Sequence, residues 1–374
     1  MFEILTLNKI SKNGLDRLDS AKFTCSDSAE NPDAILVRSA SMHEMELSEK
    51  TVAIARAGAG VNNIPIPACS DKGVVVFNTP GANANAVKEL VLCSLFMASR
   101  KVAASLDWCK TLKGEGDNVG KLVEKGKSNF AGPEILGKTL GIVGLGAIGA
   151  LVARDAKALG MDIIAYDPFA QGKTDIELVE LDELFAKSDY ITLHAPLNDG
   201  TRGMINAETI AKMKDGVRIL NFARGELVAS KDIVDALASG KAGAYITDFP
   251  TDEQLGAEGV TALPHLGAST PESEENCAMM AADEVSAYLL RGEIKNSVNL
   301  PNTCLAESFA VRTCIIHKEN ADDFAAKAEV AAKADGANVA AIFTANKKDM
   351  GYTVIDTDKP FNAEIDGAIR VRVI

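Results

Sequence analysis

The residues with the clearest chemical promise are Gly144-Leu145-Gly146-Ala147-Ile148-Gly149, a GxGxxG run that completes the apolar segment TLGIVG. The run opens a helical pattern, AIGALVARDAKALG, and so sits in the strand–turn–helix context in which such a turn cradles a pyrophosphate. Gly144 would permit the tight turn, Gly146 the close approach of backbone to phosphate, and Gly149 the packing of helix on strand, with Ala147 and Ile148 at the helix start that faces the anion. Asp167 ends the next strand, MDIIAY, 18 residues beyond Gly149 (167 − 149). A carboxylate there accepts hydrogen bonds from both ribose hydroxyls and repels a 2′-phosphate. The first following cation is Lys173, too late to rescue a phosphorylated ribose, so the pattern predicts NAD.

Hydride transfer from a hydroxy acid also needs a base for the hydroxyl proton and a cation for the carboxylate. The chain has four histidines. His43 lies in a polar loop, and His317 is far in sequence from the glycines. His194, followed by Ala195 and Pro196, ends the strand YITLHAP, where a structural role and a cofactor contact are equally open. His265 in ALPHLGAST lies at a strand end of the glycine-bearing half, the edge at which α/β sheets bind ligands. His265 is therefore the predicted base.

The elements that must position these groups read as α/β. With 374 residues the chain has room for two or three domains, and 47% apolar with 24% charged residues is the balance of a globular protein. FEILTL, AILVRS, TVAIARAG and GVVVFN are short Val- and Ile-rich strands of a first series. A long helical pattern from Asn83 to Lys110 and a Gly- and Lys-rich loop (113–129) lead to six further strands, TLGIVG through VTALPH, suited to one doubly wound dinucleotide domain. A helix from Pro271 to Leu290, a linker at Pro301 and Asn302, and a terminal β-α-β-β-β pattern complete the chain. The predicted boundaries are 1–92 with 272–302 for a substrate lobe, 93–271 for the dinucleotide domain, and 306–374 for the terminal module. A net charge of −13 argues against nucleic acid and anionic membranes as partners, and no stretch approaches the apolar length of a membrane span. Seven cysteines without a CxxC read as reduced thiols and, with no export signal at the N-terminus, predict a cytoplasmic protein. No metal site is expected.

The segments EILGKTLGIVGLGAIG, NFARGELV, LPHLGAST and RAGAGVNN resemble the signature segments of the D-2-hydroxyacid dehydrogenases. Within that family the chain is most similar to the members that oxidise D-3-phosphoglycerate, and its C-terminal segment is similar to an ACT regulatory domain. The resemblance implies two lobes with a cleft between them, a Rossmann-type NAD domain inserted in a smaller α/β substrate lobe, a terminal ACT-like module, and a homodimer or homotetramer. It implies that Arg224 holds the substrate carboxylate and carbonyl, that His265 exchanges the proton, and that Asn221, Phe222, Ala223 and Gly267 lie along the cofactor. Arg38, Ser39, Arg56, Gly58, Ala59, Gly60, Val61 and Asn83 correspond to substrate-binding positions, with Lys88 as a further cation for a phosphorylated acid. Three departures stand out. Asn62 replaces an acid, the stretch TDFPTDEQLGAEG is respaced, and the terminal module lacks the glycine turn of serine-sensing relatives. The respacing leaves two placements for the carboxylate that supports the imidazole. An ungapped count from Arg224 selects Glu253 and puts Asp248 on the nicotinamide amide; aligning Phe249 selects Asp252. Glu253 is favoured because one alignment then explains two acids. Unphosphorylated acids (glycerate or lactate) and a silent NAD-sensing regulator are the alternative readings.

Overall fold

Runs of branched apolar residues form the strands, and their continuous burial marks parallel sheets covered on both faces. The computed structural model describes residues 1–307 and 309–374. It divides into two compact units, one built from Met1–Asn83 and Pro271–Ile374, the other from Ala84–Thr270.

In the first unit, β1 (Phe2–Leu7), β2 (Phe23–Ser26), β3 (Ala34–Val37), β4 (Ala53–Arg56) and β5 (Val75–Phe77) form a parallel sheet in the order β2-β1-β3-β4-β5. The helix Pro271–Arg291 packs on it through Ala278, Ala281, Ala282 and Val285.

The second unit is built around one parallel sheet. Its strands β6 (Thr139–Val143), β7 (Asp162–Tyr166), β8 (Glu177–Leu178), β9 (Tyr190–Leu193), β10 (Val217–Asn221), β11 (Ala242–Thr247) and β12 (Val260–Ala262) are ordered β12-β11-β10-β9-β6-β7-β8. The six expected strands are present, and the two-residue β8 extends the edge. The order reverses at β6, whose neighbours are β7 and β9, and the crevice beyond the strand ends at such a reversal is where doubly wound sheets bind ligands. The single helix expected from Asn83 to Lys110 is instead two, Ala84–Arg100 and Val102–Thr111, separated by Lys101 at φ 46°. The first helix is pinned to the sheet at its end, because Arg218 Nε donates to Ala98 O (3.1 Å) and the Ser99 and Tyr190 hydroxyls pair at 2.6 Å. The loop expected at 113–129 also contains a helix, Val119–Gly126.

The terminal module belongs to the first unit. Its β13 (Val311–His317), helix Ala321–Ala334, β14 (Val339–Lys347), β15 (Met350–Thr357) and β16 (Ala368–Val373) follow the predicted βαβββ order and form an antiparallel sheet, β14-β15-β13-β16. Cys314, Ile316, Tyr352 and Val354 share a core with Ile4, Phe77 and Tyr288. Tyr352 donates to Gly292 O (2.8 Å), and the fully buried Arg312 makes a bidentate pair with Asp356 at 2.7 and 2.8 Å.

Candidate active site

The glycine turn shows which of its residues serve the fold and which leave room for something else. Gly144 has φ 97°, and a Cβ there would lie 2.9 Å from the His194 backbone. A Cβ on Gly149 would lie 2.0 Å from Gly144 O, so the helix could not pack with any side chain at that position. Gly146 differs. Its φ of −67° suits any residue and a Cβ would meet nothing within 4 Å. Packing therefore accounts for two of the glycines, while the third keeps open space at the start of the helix Ala147–Ala158, where a pyrophosphate fits. Asp167 stands beside this turn, accepting from Leu145 N and Phe169 N at 2.8 Å each. His194 pairs with Thr192 Oγ1 at 3.0 Å, and burial holds its ring neutral by pushing its pKa down to about 4. Its buried Nδ1 has no partner, which leaves it available to a ligand. Ala195 and Pro196 continue from it at the same strand end.

Beyond β10, the buried Asn221 shapes the next turn: its Nδ2 donates to Arg224 O (2.8 Å) and its Oδ1 accepts from Ala223 N (3.2 Å). Phe222 is buried beneath, and Arg224 is exposed. Phe249, to which the sequence assigns no chemical role, lies against both candidate catalytic groups, Arg224 and His265. Its ring centroid lies 5.9 Å from the Arg224 guanidinium carbon and 4.4 Å from the His265 ring. Its signal was its place directly after Asp248 in TDFP.

Asp248 is 2% exposed, and its Oδ2 accepts from Gly267 N at 2.9 Å, two residues beyond His265. Its Oδ1 is buried with no partner. Burial raises its pKa, opposed by the Gly267 amide and by the charge of His265. Glu253 and Asp252 are both exposed, and neither hydrogen-bonds to His265 in this structure. The cause is the next residue. Gln254, almost fully buried, donates to Ser230 Oγ (3.1 Å) beside Thr251 (3.0 Å), which fastens the loop to the helix Ser230–Ala238 and sets Glu253 near Lys231. The acid on the His265 side is thus the one expected to bind the nicotinamide amide.

The first unit carries the other candidates. Arg38 follows β3 and Arg56 ends β4; Arg56 Nε donates to Arg38 O at 3.0 Å, and Arg38 is paired with Glu274. Ser39 N donates to Asn8 Oδ1 (3.0 Å). In the loop Gly58–Val61, Gly58 O accepts from Thr79 N (3.2 Å) and Ala59 O from Asn78 Nδ2 (2.6 Å), while Gly60 is half-buried. Asn83 closes this stretch of the unit. Lys88 has its own partner. It lies in the second unit, nearly buried, and pairs with Asp155 at 3.0 Å, because the helix Ala84–Arg100 packs on the helix that follows the glycine turn. His43 Nε2 pairs with Asn62 O (2.9 Å), and His317 is buried against Phe324 in the terminal module. Among the described residues no group of three or more His, Cys, Asp and Glu is placed to hold a metal, and no helix is long and apolar enough to cross a membrane.

A family model described as D-isomer specific 2-hydroxyacid dehydrogenase, NAD binding domain, matches residues 92–269. The chain is 41% identical over 267 residues to a hydroxypyruvate reductase of Thermotoga maritima, covering 68% of this chain and 83% of the relative. It is 38% identical over 286 residues to a D-3-phosphoglycerate dehydrogenase of Synechocystis, covering 72% of this chain and 49% of that protein. It thus spans about half the length of that second relative. Among solved structures, an NAD+-bound 3-phosphoglycerate dehydrogenase of Entamoeba histolytica superposes with a TM-score of 0.63 at 29% identity, over 80% of this chain and 98% of the other.

Proposed function

Since the chain belongs to the D-isomer-specific 2-hydroxyacid dehydrogenases and carries their NAD-binding domain, we propose that it oxidises D-3-phosphoglycerate to 3-phosphohydroxypyruvate. Bound NAD would supply the hydride acceptor, held by the Gly144–Gly149 turn, Asp167 and the strand-end residues His194 to Pro196 and Asn221 to Ala223. Arg224 is suited to the substrate carboxylate and carbonyl, because a planar guanidinium presents two parallel donors to a carboxylate. His265 removes the hydroxyl proton as the C2 hydrogen leaves with its electron pair. Asp248, in place of Glu253 or Asp252, is our candidate for the carboxylate that orients the imidazole, on the strength of its buried, unpartnered Oδ1 and its hold on Gly267.

The observation that carries the choice of a phosphorylated substrate is the Arg38–Arg56 arrangement. Two guanidinium side chains leave neighbouring parallel strands at the same end, one resting on the other's carbonyl, on a chain whose overall charge is −13, and a bound phosphate would take the place of Glu274 on Arg38. A phosphate dianion requires such a local concentration of positive charge; a hydroxyl does not. A second reading, reduction of hydroxypyruvate, is favoured by the T. maritima relative, which this chain covers more fully. Absorbance at 340 nm separates the two, with D-3-phosphoglycerate, D-glycerate and D-lactate assayed with NAD, and hydroxypyruvate with NADH. The proposal requires kcat/KM for D-3-phosphoglycerate to exceed that for D-glycerate at least tenfold, and the reverse order overturns it. We further propose a homo-oligomeric protein of the cytoplasm.

A further inference from the structure

Within the first unit, a cleft of about 280 Å³ lies where the terminal module meets the helix Ile66–Asp71 and the segment around Asn299. The module contributes Lys318 just after β13, and Lys347, Lys348 and Asp349 at the tight turn between β14 and β15. Lys318 is paired with Asp71 at 2.7 Å. Lys347 and Lys348 are different. Among the described residues neither has a carboxylate within 4.0 Å, on a chain with 52 acidic residues against 39 basic ones. Lys347 is half-buried, and its ammonium donates to Ser297 O at 2.6 Å, which leaves two of its three N–H groups unassigned. Burial and the neighbouring Lys348 both push its pKa down, so its charge is held against two unfavourable influences.

The turn adds an independent observation. Lys348 has φ 57° at the first central position of a two-residue hairpin, where glycine or asparagine is the favoured choice. A lysine there costs backbone energy, and its exposed side chain lines the same cleft as Lys347.

The geometry points to this cleft as a binding site for a phosphate dianion, free or as the head group of a small phosphate ester, held chiefly by Lys347 and Lys348. Neither Lys347 nor Lys348 has a carboxylate within ion-pair distance, so both ammonium groups keep donors for the several oxygens of a phosphate, whereas a monocarboxylate offers only two. Asp71 and Asp349 also line the cleft. Lys318 offsets the first; the second limits how much anionic charge the site accepts and disfavours larger polyanions. Because the walls come from the parallel-sheet lobe and from the terminal module, an occupied site ties the module's hairpin to the helix Ile66–Asp71.

The test is calorimetric titration of the NAD-loaded protein with inorganic phosphate, and separately with glycerol phosphate, comparing wild type with the double variant Lys347→Gln/Lys348→Asn. The glutamine amide keeps a donor for Ser297 O, and asparagine tolerates the left-handed turn. The variant is therefore expected to keep its thermal midpoint in phosphate-free buffer and its kcat. The expected result is a phosphate affinity at least tenfold weaker in the variant, and a phosphate-dependent rise in the wild-type midpoint that the variant lacks. Equal affinity for the ester and the free ion identifies the head group as the whole recognition element; tighter ester binding adds contact with Ile66, Val298 and Met350, which also line the cleft. Equal phosphate titrations of wild type and folded variant, or no binding to wild type beyond what Arg38→Gln/Arg56→Gln removes, would overturn the assignment.

Discussion

Glu284 offers a measurement in which burial is the dominant influence. It lies on the helix Pro271–Arg291 at 6% exposure, accepts from Asn296 Nδ2 through Oε1 (2.8 Å), and has no partner for Oε2. Burial raises its pKa from the ordinary 4.5 to about 8; Asn296 and Lys295 oppose the rise and Asp283 adds to it. At 1.36 kcal/mol per tenfold change in acidity, that displacement corresponds to about 5 kcal/mol. The sign follows from which state keeps the proton. Below pH 4.5 the carboxyl is protonated both folded and unfolded and carries no penalty. Between 4.5 and about 8 the unfolded chain has ionised while the native chain has not, so stability from this group falls as pH rises and its loss is complete above 8. Glu284→Gln cannot ionise, keeps the acceptor for Asn296 and fills the place of Oε2 with an amide. The variant should match wild type near pH 4, exceed it by about 3 kcal/mol at pH 7, and gain most by pH 9. Urea unfolding followed by hydrogen exchange on peptides of this helix reads the first unit by itself. Stability curves for the two proteins that run parallel from pH 4 to 9 would refute the reasoning.

Three further outcomes are expected. Asp248→Asn should lower kcat/KM about 10- to 1,000-fold while Glu253→Gln and Asp252→Asn stay within about threefold of wild type, as steady-state assays at 340 nm would show; the opposite ranking returns the role to the TDE loop. Gly149→Ala should unfold or loosen the dinucleotide unit, because its Cβ meets backbone at 2.0 Å, whereas Gly146→Ala should melt like wild type and bind NAD at least tenfold more weakly by fluorescence titration. Asp356→Asn should destabilise the first unit by about 3–5 kcal/mol in urea by leaving Arg312 buried and unpaired, while Arg312→Met/Asp356→Leu recovers most of that loss.

The dinucleotide turn was legible from the residues alone because its chemistry is local: three glycines, the strand before them and the acid one strand later lie within a short stretch of chain whose geometry is set by backbone sterics. The alternation of strand and helix patterns likewise announced the parallel sheets and the βαβββ order of the terminal module, since burial on both faces leaves a short continuous apolar run in each strand. Side-chain direction at a distance left no such record. That neither Glu253 nor Asp252 hydrogen-bonds to His265 goes with the burial of Gln254 against Ser230, and no count along the chain contains that contact. Lys88 carries the same signature as a substrate-binding cation, yet Asp155 claims its charge once two helices pack. The helix end before the break at Lys101 is held by Arg218 and Tyr190, which lie 120 and 91 residues along the chain from Ala98 and Ser99. Each of these was decided by which partner the fold delivers to a charged or polar group, because inside a protein such a group must be paired and the partner comes from another part of the chain.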